Sequence, residues 1–327
     1  MRHLLLTALI LLIPAHASAS QDTVWARHGD YPVKVVNDTW FDAERDRSIP
    51  IRIYCPDGEG VFPVIVFSHG LGGSRSAAPY LGHHWASWGF MAVFVQHPGS
   101  DEGVWQGRRG EAAIEALREA ASPRTAVTRF GDIPFVLDEI EARAAAGTMP
   151  ADPARMGIAG HSYGAHTVLA ALGAGYGPGG RVSFDDPRLT AGVVLSPPPA
   201  DSRARNGAAY DTIGEPVLHL TGTHDFSPIN ADVAPESRLE AFEALGPAPQ
   251  YLIVFEGGDH SVFNGQPRPG RVEPENYLAI QAATAEATTL FFQAWLTGDA
   301  DARDFLNSES FDTRFAPLGE VRRRNTP

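Results

Sequence analysis

The chain predicts an α/β fold, a mostly parallel central sheet covered by helices on both faces. Three observations carry this. Runs such as Val64-Ile65-Val66-Phe67 and Leu252-Ile253-Val254-Phe255 are continuously apolar, as strands buried on both faces must be. Segments of helix length separate these runs, and glycine or proline punctuates the joins. The 327 residues suffice for one large core, and no internal repeat points to a solenoid or propeller.

Taken in order, the elements begin with Met1-Arg2-His3, an apolar stretch over 4–13 and small residues at 17–19, the three regions of a cleavable secretory signal peptide. Ten apolar residues are too few to span a bilayer. A secreted or periplasmic protein is therefore expected, with one domain over 20–300. Residues 33–36 and 49–54 read as an opening hairpin. Strands follow at 63–68, 90–96, 155–160, 191–196, 216–221 and 250–255. Helices are expected at 76–88, 123–146, 165–172, 235–245 and 274–296, the last stopped by Gly298. The segment 101–121 is too long for a simple turn; it either overhangs the ends of the strands or forms a surface helix. The tail 301–327, with its Arg322-Arg323-Arg324 run, is expected to pack briefly and fray.

The strand at 155–160 runs into Gly160-His161-Ser162-Tyr163-Gly164 and then a small-residue helix. A sharp strand-to-helix turn forces its central residue into a strained backbone and leaves no room for Cβ atoms beside it. Such a turn lifts the Ser162 hydroxyl above the sheet. It also sets the Tyr163 N–H at a helix start, where unpaired donors and the helix dipole favour a developing oxyanion. The run 63–68 breaks into His69-Gly70-Leu71-Gly72-Gly73, and the Leu71 N–H is expected as second oxyanion donor.

Two later strand ends complete a proton relay. The run at 216–221 leads to Gly222-Thr223-His224-Asp225, and the run at 250–255 leads to Gly257-Gly258-Asp259-His260. Serine is a weak nucleophile at neutral pH, so His260 would take its proton and Asp225 would orient the imidazole. Asp201, after the strand at 191–196, competes for the acid role, and His224 is a minor rival for the base. Among twelve histidines, His69, His97, His161 and His166 flank turns and suit local hydrogen bonding. Phe226, Phe263 and Trp105 lie near strand ends and are candidates to line a substrate cleft. No metal-ligand spacing is present, and no cofactor is expected.

These motifs, together with Gln96-His97-Pro98-Gly99-Ser100, resemble the α/β-hydrolase superfamily over roughly 33–296. The resemblance narrows to a bacterial branch that groups dienelactone-hydrolase-like, platelet-activating-factor-acetylhydrolase-like and cutinase-like polyester hydrolases. It implies a catalytic domain that cleaves carboxylic esters through an acyl-enzyme. Two departures matter. Dienelactone hydrolases use a cysteine nucleophile, whereas the only cysteine here is Cys55, far upstream of the elbow. Acetylhydrolases of this type carry their acid where Ser196 stands, which shifts the acid to Asp225, as in polyester hydrolases. Other readings are a lipase, a phospholipid esterase, a peptidase or a catalytically silent binding protein.

A net charge of -13 without basic tracts counts against nucleic acid and against docking on anionic lipid. A small-molecule or polymeric ester is the expected partner. The resemblance to acetylhydrolases and polyester hydrolases, with Tyr163, Phe226, Phe263 and Trp105 near the strand ends, implies a cleft for short acyl groups, and the glycine-rich, charged stretch 175–187 offers no apolar lid, so no interfacial activation is expected.

Overall fold

A computed structural model describes residues 23–199, 210–230, 233–265 and 276–326. The proposed signal segment and Asp201 lie outside the described residues.

The fold is α/β, with a single mostly parallel sheet. Strands β1 (Val33–Asp42) and β2 (Arg47–Pro56) form the expected hairpin, in register from Val33 opposite Pro56 to Asp42 opposite Arg47. There follow β3 (Phe62–Ser68), α1 (Pro79–Ser87), β4 (Met91–Val95), α2 (Glu111–Ala120), α3 (Pro123–Ala145), β5 (Ala151–His161) and α4 (Tyr163–Ala171). The chain continues through β6 (Leu189–Leu195), β7 (Val217–His224), α5 (Glu240–Ala244), β8 (Gln250–Asp259) and α6 (Tyr277–Phe292). It closes with α7 (Ala300–Leu306), α8 (Glu309–Phe315) and β9 (Gly319–Arg324). The sheet order is β1-β2-β4-β3-β5-β6-β7-β8-β9. Strands β3 to β8 run parallel; β2 and β9 join antiparallel at either side.

The strands' period of two divides the core. Ile65 and Phe67 pack beneath α1 and α6, while Val64 and Val66 pack beneath α3 and α4. All four are fully buried, which explains the unbroken apolar run. Parallel strands crossing over through helices bring the loops after β3, β5, β7 and β8 to one rim of the sheet.

The tail differs from expectation. Asp299 caps α7 through Ala302 N, and Ser308 caps α8 through Ser310 N. Phe311 and Phe315 enter the core, and β9 pairs along β8 from Gln250–Arg324 to Phe255–Gly319. An edge strand needs little apolar character of its own, so its charged sequence did not advertise it. Helix α6 carries buried Glu286, which accepts from Arg314 Nε and Nη2 at 2.9 and 2.7 Å and from Thr23 Oγ1 at 2.6 Å.

Candidate active site

Ser162 has φ 56° and ψ −118°, between the last residue of β5 and the first of α4. The flanking glycines follow from steric necessity. A Cβ on Gly164 would stand 1.9 Å from Ser68 O, and one on Gly160 would stand 2.4 Å from Gly164 O. The elbow is therefore wedged against the end of β3, and Gly70 approaches so closely that its Cβ would meet Ser162 Cβ at 3.2 Å.

Ser162, His260 and Asp225 come together. His260 Nε2 lies 2.9 Å from Ser162 Oγ, and His260 Nδ1 lies 2.7 Å from Asp225 Oδ1. The other carboxylate oxygen accepts from Thr221 Oγ1 at 2.8 Å. Asp225 is fully buried. Burial alone would raise its carboxyl, but the hydrogen bond and charge of His260, with Arg238 beside them, outweigh it and hold the group at about 2. Ser196, in left-handed backbone at φ 49°, adds to that effect. Ser196 thus stands beside Asp225.

Arg238 was not foreseen. Its Nε is 3.3 Å from Asp225 Oδ1, its Nη1 donates to Pro197 O at 3.1 Å, and its Nη2 lies 3.4 Å from His260 Nδ1. It sits in a short 3-10 segment, Pro235–Leu239, within the stretch expected as a helix over 235–245, amid Glu236, Ser237 and Glu240, a polar setting that gives no sign of a buried cation. His161 lies under the His260 ring, 4.9 Å between centroids, and donates Nε2–H to the His260 carbonyl at 2.8 Å. Burial, followed by the neighbouring His260, brings His161 down to about 3, so it stays neutral.

Leu71 and Tyr163 face the same cavity as Ser162 and His260. The Tyr163 N–H opens α4 and has no carbonyl within its own helix. In the Leu71 loop, Gly72 N–H donates to Ser100 O and Gly73 N–H to Gly70 O. Those bonds fix the backbone on either side of the proposed donor.

A second Asp–His–Ser chain lies behind this loop. His97 bridges Asp132 Oδ2 and Ser68 Oγ, each at 2.9 Å, and all three residues are fully buried. Arg129 completes it: Nη2 donates to Ser68 Oγ at 2.9 Å and to His69 O, Nη1 to Ser100 Oγ, and Nε to Thr167 Oγ1 on α4. Its guanidinium also covers the Tyr163 ring at 4.7 Å. No part of this second chain reaches the cavity, so it braces the loop and the elbow.

The three aromatic candidates are placed elsewhere. Phe263 is fully buried, 6.1 Å from Phe255 and 6.3 Å from His161 between ring centroids, so it supports the site from within the core. Phe226 points outward and is 57% exposed. Trp105 donates Nε1–H to Gly72 O at 2.7 Å and stands behind the glycine loop. None of the three lines the cavity. The lining comes instead from Ile114 and Leu117 of α2, Phe130 of α3, Leu169 of α4, and Tyr176 and Phe184 beyond it. The segment 101–121 thus does overhang the site.

Among the described residues no helix is long and apolar enough to cross a membrane. The sequence profile described as Platelet-activating factor acetylhydrolase, isoform II, matches residues 18–104. The match covers β1 to β4 and the glycine loop, and ends before the elbow. It supports the acetylhydrolase-like branch of the α/β-hydrolase superfamily and a hydrolase of esterase type. No curated protein matches the chain.

Proposed function

We propose that this chain is a serine hydrolase that cleaves carboxylic esters through an acyl-enzyme, with Ser162 as nucleophile, His260 as proton shuttle and Asp225 as its orienting acid. The observation that carries the proposal is the continuous hydrogen-bonded path from Ser162 Oγ through His260 to Asp225, opening onto a cavity at its serine end. Ser162 Oγ attacks the ester carbonyl carbon as His260 Nε2 takes its proton. The carbonyl oxygen becomes an oxyanion facing the Leu71 and Tyr163 N–H groups. The resulting imidazolium passes its proton to the departing alkoxide, and the acyl group stays on Ser162. Water then repeats the sequence: His260 removes its proton, hydroxide adds to the acyl carbon, and Ser162 leaves with that proton as the carboxylic acid is released. Asp225 remains ionised throughout.

The family match favours a phospholipid esterase as second reading within the same chemistry. A monomeric ester suits the site better than a polyester, because α2 lines the cavity and Arg118 Nε ties it to O of Ile229, another lining residue, at 2.9 Å. Export through the amino-terminal segment belongs to the same proposal and is read by cleavage near residue 19 in a secreting host.

The test is labelling by a fluorophosphonate together with turnover of nitrophenyl acetate. We expect both in the intact protein and neither in Ser162→Ala, with a loss of turnover of about 10⁴-fold or more. Undiminished turnover in that variant would overturn the reading, and absence of labelling in the intact protein would favour a silent binding protein.

A further inference from the structure

The cavity above Ser162 has a volume of about 1160 Å³, larger than the ~300–1,000 Å³ typical of pockets that enclose drug-sized ligands. An acetyl group would leave nearly all of it unfilled. Its two sides differ in chemistry. Toward His260 the wall carries its chain neighbours Ser261 and Asn264. Toward α3 and α4 it is apolar and aromatic. Phe130 is the hub there, with ring centroids 4.8 Å from Phe184, 5.1 Å from Tyr176 and 5.2 Å from His166. Ile114 and Leu117 of α2 also line that side, and among the described residues no Asp, Glu, Lys or Arg lines it.

Ester chemistry orients a substrate within this asymmetry, on the reading that Ser162 and His260 perform the reaction. The departing oxygen must lie within reach of His260 Nε2, so the alcohol leaves along the polar wall. The oxyanion points at Leu71 and Tyr163. The remaining substituent of the tetrahedral carbon, the acyl chain, is left to the side away from His260, where α2, α3 and α4 enclose the aromatic chamber.

We propose that this chamber is an acyl-chain site, and that the preferred substrates are esters of apolar acyl chains of about eight carbons or more with a small polar alcohol. This departs from the short-acyl expectation, which rested on the resemblance to acetylhydrolases and polyester hydrolases and on aromatics near the strand ends. The lining comes instead from α2, α3 and α4.

The experiment measures kcat/KM for soluble nitrophenyl esters from acetate to decanoate, below their solubility limits. Octanoate is expected to exceed acetate by roughly 100-fold, the range that buried apolar contacts supply in discriminating substrates. Val127→Trp and Val182→Trp, each placed at an exposed part of the lining, should fill the chamber and lower the octanoate-to-acetate ratio about tenfold. A rate that falls steadily from acetate, or a ratio unmoved in both variants, overturns the acyl site while fluorophosphonate labelling of Ser162 still upholds the hydrolase. Failure to label Ser162 and to turn over any ester removes the hydrolase reading itself, and the acyl site with it.

Discussion

Ser162 occupies a backbone region that costs a non-glycine residue on the order of 1–3 kcal/mol, and the glycines around it are what allow the chain to be held there. That strain is spelled in consecutive residues, so the turn that holds Ser162 was legible. The meeting of Asp225 and His260 was legible for a related reason: each follows an apolar run whose carboxyl end must reach the same rim. Aromatic orientation was not. Phe263 turns inward and Phe226 outward because of packing against Phe255, His161 and solvent, none of which is local in sequence. Asp225→Asn should lower kcat by about 10⁴-fold by favouring the wrong imidazole tautomer, with the fold intact by circular dichroism. A loss under tenfold would transfer the acid role elsewhere. Arg129 invites a separate measurement, since one guanidinium holds Ser68, His69, Ser100 and Thr167. Burial brings this arginine down to about 10, still far above neutrality, so it remains a cation. Arg129→Met should release the glycine loop and cut kcat by about 10²-fold with little change in KM, because the oxyanion donors act on the transition state. Equal changes in both constants would assign Arg129 to substrate binding instead.

At the scale of elements, the junction of β5 with α4 and the loop after β3 form one rigid unit. Gly164 has backbone on every close approach, so Gly164→Ala cannot be relieved by a rotamer change. We expect a destabilisation of about 3 kcal/mol or more, read as a lower midpoint in urea. Gly107, at φ 77° with open space around its Cβ position, provides the contrast: alanine there should cost about 1 kcal/mol, from backbone conformation alone. Similar costs at the two sites would sink the claim that the wedge against Ser68 matters. Strand and helix order followed from hydrophobic period, but element ends did not. Strands β7 and β8 run on to His224 and Asp259 because a register shift after Gly222 keeps them paired beyond their apolar runs. Strand β9 escaped notice because Arg323 and Arg324 find partners that the fold brings near, Asp312 for the first and the carbonyls of Phe242 and Glu243 for the second. Helix α2 left its two readings open in sequence because an amphipathic stripe tells which face is buried, not what it covers.

Across the whole molecule, buried neutral imidazoles dominate the response to acid. Burial is the leading cause that lowers His84 and His97 to about 4, His161 and His219 to about 3, and His69 well below its ordinary value of 6.5. In the unfolded chain each would take up a proton near 6.5, whereas the native state refuses it until the lower value is reached. The unfolded state therefore binds more protons in this window, and stability falls as pH drops through it, by about 1.4 kcal/mol per unit for each such histidine. Asp132 and Asp225, held at about 2 against 3.8, behave differently: their contribution is complete above 3.8 and is lost only below it. Melting temperatures should accordingly decline already between pH 6.5 and 4.5, and a plateau down to pH 4 would contradict the neutral state of these rings. Glu286 has a further consequence, for the order of events in time. Its carboxylate joins Thr23 to Arg314, and the first of these bonds links residues 263 positions apart. A chain growing from its amino terminus cannot close that clasp until residue 314 has emerged. Contacts of such separation form late, because loop closure must precede any gain from them. A clasp absent from the transition state acts as a brake on opening, so Glu286→Gln should accelerate unfolding several-fold in stopped-flow measurements while leaving the refolding rate nearly unchanged.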